Sequence, residues 1–129
     1  YGFPAHEYYH PARSQGTLMC HYRHHSHDDP FVYVGIQDIT AHVDFTACAT
    51  AADAAQWHVA GYTSQAHFLI NTGLVEQLQQ APDPFKANAA VKMLTHPEEM
   101  GELFKVLALS KHYDTDLVGF SRFDQRHRL

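Results

Sequence analysis

Residues 43–73, VDFTACATAADAAQWHVAGYTSQAHFLINTG, set one strand pattern between two helical patterns with no linker, which restricts the chain to a fold that packs helices on sheet. Asp44 stands where an N-cap is needed, with Val43 and Cys48 at the positions of a hydrophobic staple. Residues 43–56 therefore read as an Ala-rich helix with Phe45, Cys48, Ala52 and Ala55 on one face. WHVAGYT (57–63) reads as a strand. It runs straight into the helix QAHFLINT, which Thr63 or Ser64 can cap and Gly73 ends.

On either side the patterns are shorter. TLMCHYR (17–23) alternates Leu18, Cys20 and Tyr22 with Thr17, Met19 and His21, the period of a strand. The stretch from there to about Gln37 contains Asp28, Asp29, Pro30 and Gly35 and reads as a long loop with extended FVYV inside it. LVEQLQQ (74–80) and PFKANAAVKML (84–94) read as helices separated by APDP, the second region closed by Pro97. LFKVLALSK (103–111) and LVGFSRF (117–123) flank HYDTD and predict an antiparallel hairpin. The opening YGFPAHEYYHPARSQG, with Pro4 and Pro11, reads as an ordered loop rather than an element. No repeat or linker divides the chain, so residues 1–129 are expected to form one domain unit.

Composition narrows the function. A formal charge of −5 gives no basic field for a nucleic-acid backbone, and the one cationic cluster, SRFDQRHRL, is interrupted by Asp124. No apolar run is long enough for a membrane span. Two cysteines, Cys20 and Cys48, fall on different predicted elements and lack the density of a secreted disulfide scaffold. A reducing compartment such as the cytoplasm fits them, and neither nucleic acid nor membrane is expected as a partner. There is no signal peptide, no P-loop, no G-x-G-x-x-G and no G-x-S-x-G elbow. A first residue of Tyr rather than Met suggests a fragment.

CHYRHHSHDDP (20–30) invites a metal reading, since it packs a cysteine, four histidines and two aspartates together. Zinc ligands recur at short spacings on rigid elements, such as C-x2-C or H-x3-H on a helical turn, and none of these forms is present. On an extended strand Cys20 and His24 share a face but lie too far apart for one ion. A polar, partly exposed loop accounts for the stretch, and no metal is expected.

QDITAHVDFT (37–46) is more informative, because Asp38, His42 and Asp44 gather where a loop enters a helix, a junction that turns side chains into clefts. A turn former at Asp38 and a cap at Asp44 would explain both carboxylates without a substrate. Alternatively they hold a cationic group, for which a guanidinium fork is suited. Gln65 opens the helix after the strand and could orient a ligand or solvate the helix start. Glu7, Tyr8 and Tyr9 in the opening segment have the same two readings.

Taken in order, YGFP with EYYHP, RSQGTLMCHYRHHSHDDP, GIQDITAHVDFT, GYTSQAHFLINTG and MGELFKVLAL resemble the C-terminal half of the MidA-like, S-adenosyl-L-methionine (SAM)-dependent methyltransferases. The likeness runs over nearly the whole chain. The family's mitochondrial relative is an assembly factor for respiratory complex I that dimethylates a protein arginine.

The resemblance implies an α/β fold: the C-terminal portion of a class I, Rossmann-like methyltransferase, ending in an antiparallel hairpin. It implies SAM as cofactor of the full-length protein. The family's glycine-rich turn and ribose-binding acid lie earlier, so the main SAM site falls outside this chain. This half would build the acceptor side, with Asp38 and Asp44 as catalytic carboxylates and Thr40, His42, Gln65 and Glu7 as substrate-binding residues. Expected partners are a protein substrate and the chain's own N-terminal half. Localisation would be cytoplasmic, or the mitochondrial matrix in a eukaryote. A sheet cut between strands exposes an unpaired edge and apolar helix faces, so self-association is also expected. The alternative, from another class, is a non-catalytic protein-interaction or assembly module.

Overall fold

Asp44 caps its helix as its position predicts. In the computed structural model, which describes residues 1–129, Asp44 is extended (φ −83°) and its carboxylate accepts from the Ala47 amide at 2.9 Å. Helix α2 (Phe45–Ala54) follows, burying Phe45 and Ala52, while Ala55 is exposed beyond its end. The chain turns at Gln56 and enters strand β6 (His58–Ser64), which feeds helix α3 (Gln65–Asn71). Helices α4 (Leu74–Gln79) and α5 (Pro84–Thr95) come next, then strand β7 (Lys105–Ser110). Of the helices, none is long and apolar enough to cross a membrane.

The sheets are small and separate. β6 pairs antiparallel with β7, from Ser64↔Lys105 to His58↔Ser110, with a bulge between Val59 and Gly61. Strand β2 (Met19–Tyr22) sits between β3 (His25–His27) and β4 (Asp38–Thr40), antiparallel to both. Strand β1 (Gly2–Phe3) pairs parallel with β5 (Val43–Asp44). The chain is thus a mixed α/β unit in which β1–β5 is the one parallel pair. The Rossmann-like sheet implied by the resemblance is not formed by these residues alone.

The core centres on β6. Tyr62, Thr63 and Ser64 are fully buried, with Phe45 on one side and Ala66 and Phe120 on others. Phe45 and Tyr62 rings lie 5.2 Å apart. Burying a large apolar side chain contributes about 1.5–3 kcal/mol, so this small group supplies much of the unit's cohesion.

Four expectations need correction. The closing hairpin does not exist: the partner of β7 is β6, and residues 117–123 instead form a 3-10 turn at Val118–Phe120. That turn is held in place by packing a strand could not supply. Phe120 sits on Gly61, where an added Cβ would lie 2.2 Å from its Cγ, and Gly119 lies as tightly against Phe68. The Asn71 side-chain amide donates to the Gly119 and Arg122 carbonyls at 3.0 and 2.9 Å. The opening segment is not a loop. It holds β1 and helix α1 (Ala5–Tyr8) because Gly2 finds Val43 and the Ala5 amide finds the Thr46 hydroxyl at 2.8 Å, partners some forty residues away.

FVYV is not extended. The Phe31 amide bonds the Asp29 carboxylate at 2.9 Å and Tyr33 is left-handed at φ +58°, so local turn chemistry overrides β propensity. Finally, the histidine-rich stretch is a hairpin rather than strand running into loop. Arg23 and His24 make its turn at φ +47° and +67°, a geometry usually given to Asn-Gly.

Candidate functional site

In an antiparallel pair, residues directly opposite one another put their side chains on the same face of the sheet. Here Met19 opposes Thr40, His21 opposes Asp38, and His21 also opposes Ser26. One face of the three-stranded sheet therefore carries Met19, His21, Ser26, Asp38 and Thr40. All of these but Asp38 line a cavity of about 550 Å³, closed from the other side by Tyr1, His42 and Phe104. Asp38 stands on the same face two residues before Thr40, opposite the lining residue His21, and is exposed.

The polar groups of this cavity are oriented. The Tyr1 phenol donates to the Thr40 hydroxyl at 2.7 Å, and Thr40 in turn donates to the Met19 carbonyl at 3.1 Å. With both protons committed, the Tyr1 oxygen is left with acceptor capacity only. The His42 amide donates to the Thr17 hydroxyl at 3.1 Å, which fixes the backbone at the ring. The His42 ring meets Tyr1 and Phe3 edge-on, with centroids 4.9 and 5.0 Å away. Its Nδ1 is buried without a hydrogen-bond partner. Burial, and then the Arg13 charge, hold the His42 pKa below the usual histidine value. Arg13, the one formal charge on the lining, lies over the Phe3 ring at 4.2 Å and donates to the Glu7 carbonyl. Apart from Arg13 the polar groups of the lining are neutral, and no carboxylate is among them; Asp38 stands beside them on the same sheet face.

Two of the six residues expected from the sequence, Thr40 and His42, meet in this cavity, and Asp38 flanks it. The other three have structural tasks elsewhere. Asp44 caps α2, and its charge raises the Tyr9 phenol pKa. Gln65 donates from its side chain to the Leu94 carbonyl at 3.0 Å and from its backbone to Phe104 at 2.9 Å, tying α3 to the end of α5 and the start of β7. Glu7 pairs with Arg128, joining α1 to the C-terminal turn. Sequence reasoning missed Tyr1, Arg13 and His21. The alternation of Met19 with His21 hinted at a shared face, but which strand lay opposite could not be read from it.

Other polar clusters are less organised for chemistry. Groups of three or more His, Cys, Asp or Glu side chains placed to hold a metal ion are absent. His27 packs against Tyr33, which stacks on Tyr22 at 4.5 Å. A second cavity of about 420 Å³ is lined by His58, Asp114, Asp116 and Arg126, but Arg126 is occupied by Asp124 at 2.6 Å and the Val59 carbonyl at 3.2 Å. Ser64 and His67 lie 3.0 Å apart, with the Glu102 carboxylate hydrogen-bonded to Ser64 rather than set behind the histidine as a triad would require.

Two solved structures share this fold over the whole chain. An uncharacterized COG1565 superfamily protein from Burkholderia thailandensis superposes with a TM-score of 0.95 at 52% identity, covering 100% of this chain and 36% of that one. A COG1565 superfamily member and "likely methyl transferase" from the same organism, bound to S-adenosyl-homocysteine (SAH), gives 0.93 at 53% identity, covering 100% of this chain and 35% of that one. The chain thus spans about a third of the length of each. No curated protein matches. Residues 1–63, which carry every lining residue of the cavity except Leu103 and Phe104, match the family described as "Putative S-adenosyl-L-methionine-dependent methyltransferase". In sequence and fold, then, the chain is similar throughout to COG1565 superfamily proteins and, across its candidate site, to that methyltransferase family.

Proposed function

We propose that this chain is the acceptor-side, C-terminal part of a SAM-dependent methyltransferase acting on protein arginine. The observation that carries the reading is the 53% identity, over all of this chain, with the protein that binds SAH. The donor supplies an activated methyl group on a sulfonium. Donor pockets of this class sit at a glycine-rich turn between a parallel strand and a helix, and no such turn occurs among these residues, so none of them is assigned to the donor. What they offer is an acceptor site: a mainly apolar cavity with hydroxyl and imidazole groups in its lining, and Asp38 free on the same sheet face opposite His21. An exposed carboxylate beside a cavity of this chemistry suits a guanidinium, which it can hold through two parallel hydrogen bonds. Of the two carboxylates singled out by sequence, Asp38 is the one available, since Asp44 is committed to the helix.

The rest of the enzyme would cover this unit. Only 13 of the 129 residues are buried, and Phe31, Val34, Ile36 and Phe85 are largely exposed. Apolar surface of that extent calls for a partner, which we take to be the N-terminal part of the same protein, with self-association when that part is missing. A cytoplasmic site of action fits the two free cysteines. A non-catalytic assembly role is the second reading, favoured by the same exposed residues.

Titrating the whole protein with SAH and then supplying SAM with single-arginine peptides tests the proposal. Saturable SAH binding and methylarginine formation, the latter lowered at least about tenfold by Asp38→Asn, are expected. Absence of SAH binding would leave the assembly role. SAH binding with Asp38→Asn and Asp44→Asn both at full turnover would overturn the acceptor assignment.

A further inference from the structure

We infer that His42 is the base that takes the proton released by the arginine nitrogen as it is methylated. This rests on the arginine-methyltransferase reading and adds a catalytic residue to it. Methylation of a guanidino nitrogen cannot finish without losing a proton. The nitrogen lone pair forms the new N–C bond as the C–S bond of the sulfonium breaks, its electron pair stays on sulfur, and the proton leaves nitrogen for His42, which passes it to water.

The cavity limits which group can do this. Of its lining residues, Arg13 is already charged, and the Tyr1 and Thr40 hydroxyls are weak bases joined in one hydrogen-bonded chain. That leaves two imidazoles, His21 on β2 and His42 before β5. His42 is the better placed. Its ring is set between Tyr1 and Phe3 and its backbone is held by Thr17; Nδ1 is buried, and the other ring nitrogen, Nε2, makes no hydrogen bond within the chain and is the atom left to take the proton.

The surroundings keep the ring in the form that can accept. Burial, and then the Arg13 charge, disfavour a second positive charge there. The remaining titratable groups facing the cavity are the Tyr1 phenol, His21 across the sheet and, opposite His21 on the same sheet face, Asp38. His42 is consequently neutral through the physiological range, and turnover should fall only when the pH drops below its lowered pKa.

The test uses the whole protein with SAM and single-arginine peptides. His42→Gln should bind SAH like the parent, lose about 100-fold or more of kcat, and lose the acid limb of the pH–rate profile. His42→Ala should regain turnover with added free imidazole. The His42 ring resonance in the SAH-bound protein should titrate below the ordinary histidine range, a readout independent of turnover. Unchanged kcat in His42→Gln overturns the assignment and leaves the parent reading standing. Loss of kcat together with SAH affinity, with no imidazole rescue of His42→Ala, makes His42 a structural residue. Should the parent protein bind SAH but methylate no arginine peptide, the base and the acceptor class fall together, while the donor reading survives.

Discussion

Gly61→Ala is the sharpest test of how the closing segment is seated. The new Cβ would lie 2.2 Å from the Phe120 Cγ and 2.4 and 2.5 Å from its two Cδ atoms. Carbon atoms pack best at about 3.5–4.0 Å, so the ring must retreat by more than about 1 Å. It has little room to do so. The ring also meets Phe68, with centroids 5.5 Å apart, Gly119 is already pressed on Phe68, and the Asn71 amide clamps the Gly119 and Arg122 carbonyls on either side of Phe120. Overpacking of a core usually costs about 1–3 kcal/mol, and a site with no relief should fall at about 2–3. For a cooperative unit of 129 residues, at about 2.1 cal/mol/K of unfolding entropy per residue, the thermal midpoint should drop by about 7–11 °C. Denaturation of Gly61→Ala in the parent and in a Phe120→Leu background gives the coupling directly. Most of the cost should vanish in the second, where the ring is gone. If Gly61→Ala costs less than about 0.5 kcal/mol, or costs the same in both backgrounds, Phe120 is not seated on that glycine.

Asp44→Ala should destabilise by about 0.5–2 kcal/mol through loss of the cap and, on removing the negative charge beside Tyr9, let that phenol titrate nearer its ordinary value in an ultraviolet titration. Tyr62 is held up at about 12, mainly by burial, so the folded state keeps a proton that the unfolded chain releases at about 10. Its contribution is fully present below pH 10 and is lost as the pH rises toward 12, a limb seen in urea midpoints that Tyr62→Phe should remove. Because the Tyr62 hydroxyl is buried without a partner, Tyr62→Phe should cost nothing at neutral pH. Burial works to raise the Glu102 pKa, but hydrogen bonds with Ser64 and Lys105 and the nearby charges leave it below 4.5, so its contribution is present above that value and lost as the pH falls; Glu102→Gln should flatten the acid limb of stability.

What could be read from sequence was local. The Asp44 cap, the strand leading into α3 and the two helices after Gly73 follow from residues within a few positions of each other. The failures were long-range. Whether 103–111 pairs with 117–123 or with 58–64 depends on Phe120 finding Gly61, and nothing near residue 120 announces that. The same holds for β1, which exists because Val43 is opposite Gly2. At the candidate site, QDITAHVDFT drew attention to Asp38, Thr40 and His42, yet its other wall comes from Tyr1, β2 and Phe104, which the fold brings in from both ends of the chain.

The tip between β2 and β3 has a further consequence. Its two left-handed positions are filled by Arg23 and His24, residues that resist that geometry, so the ribbon bearing Met19 and His21 is fastened less firmly than its pairing pattern suggests. Placing Asn-Gly there would stiffen the ribbon without touching a single atom of the pocket. Amide hydrogen exchange along β2 and β3 would then slow, with the register of the ribbon unchanged.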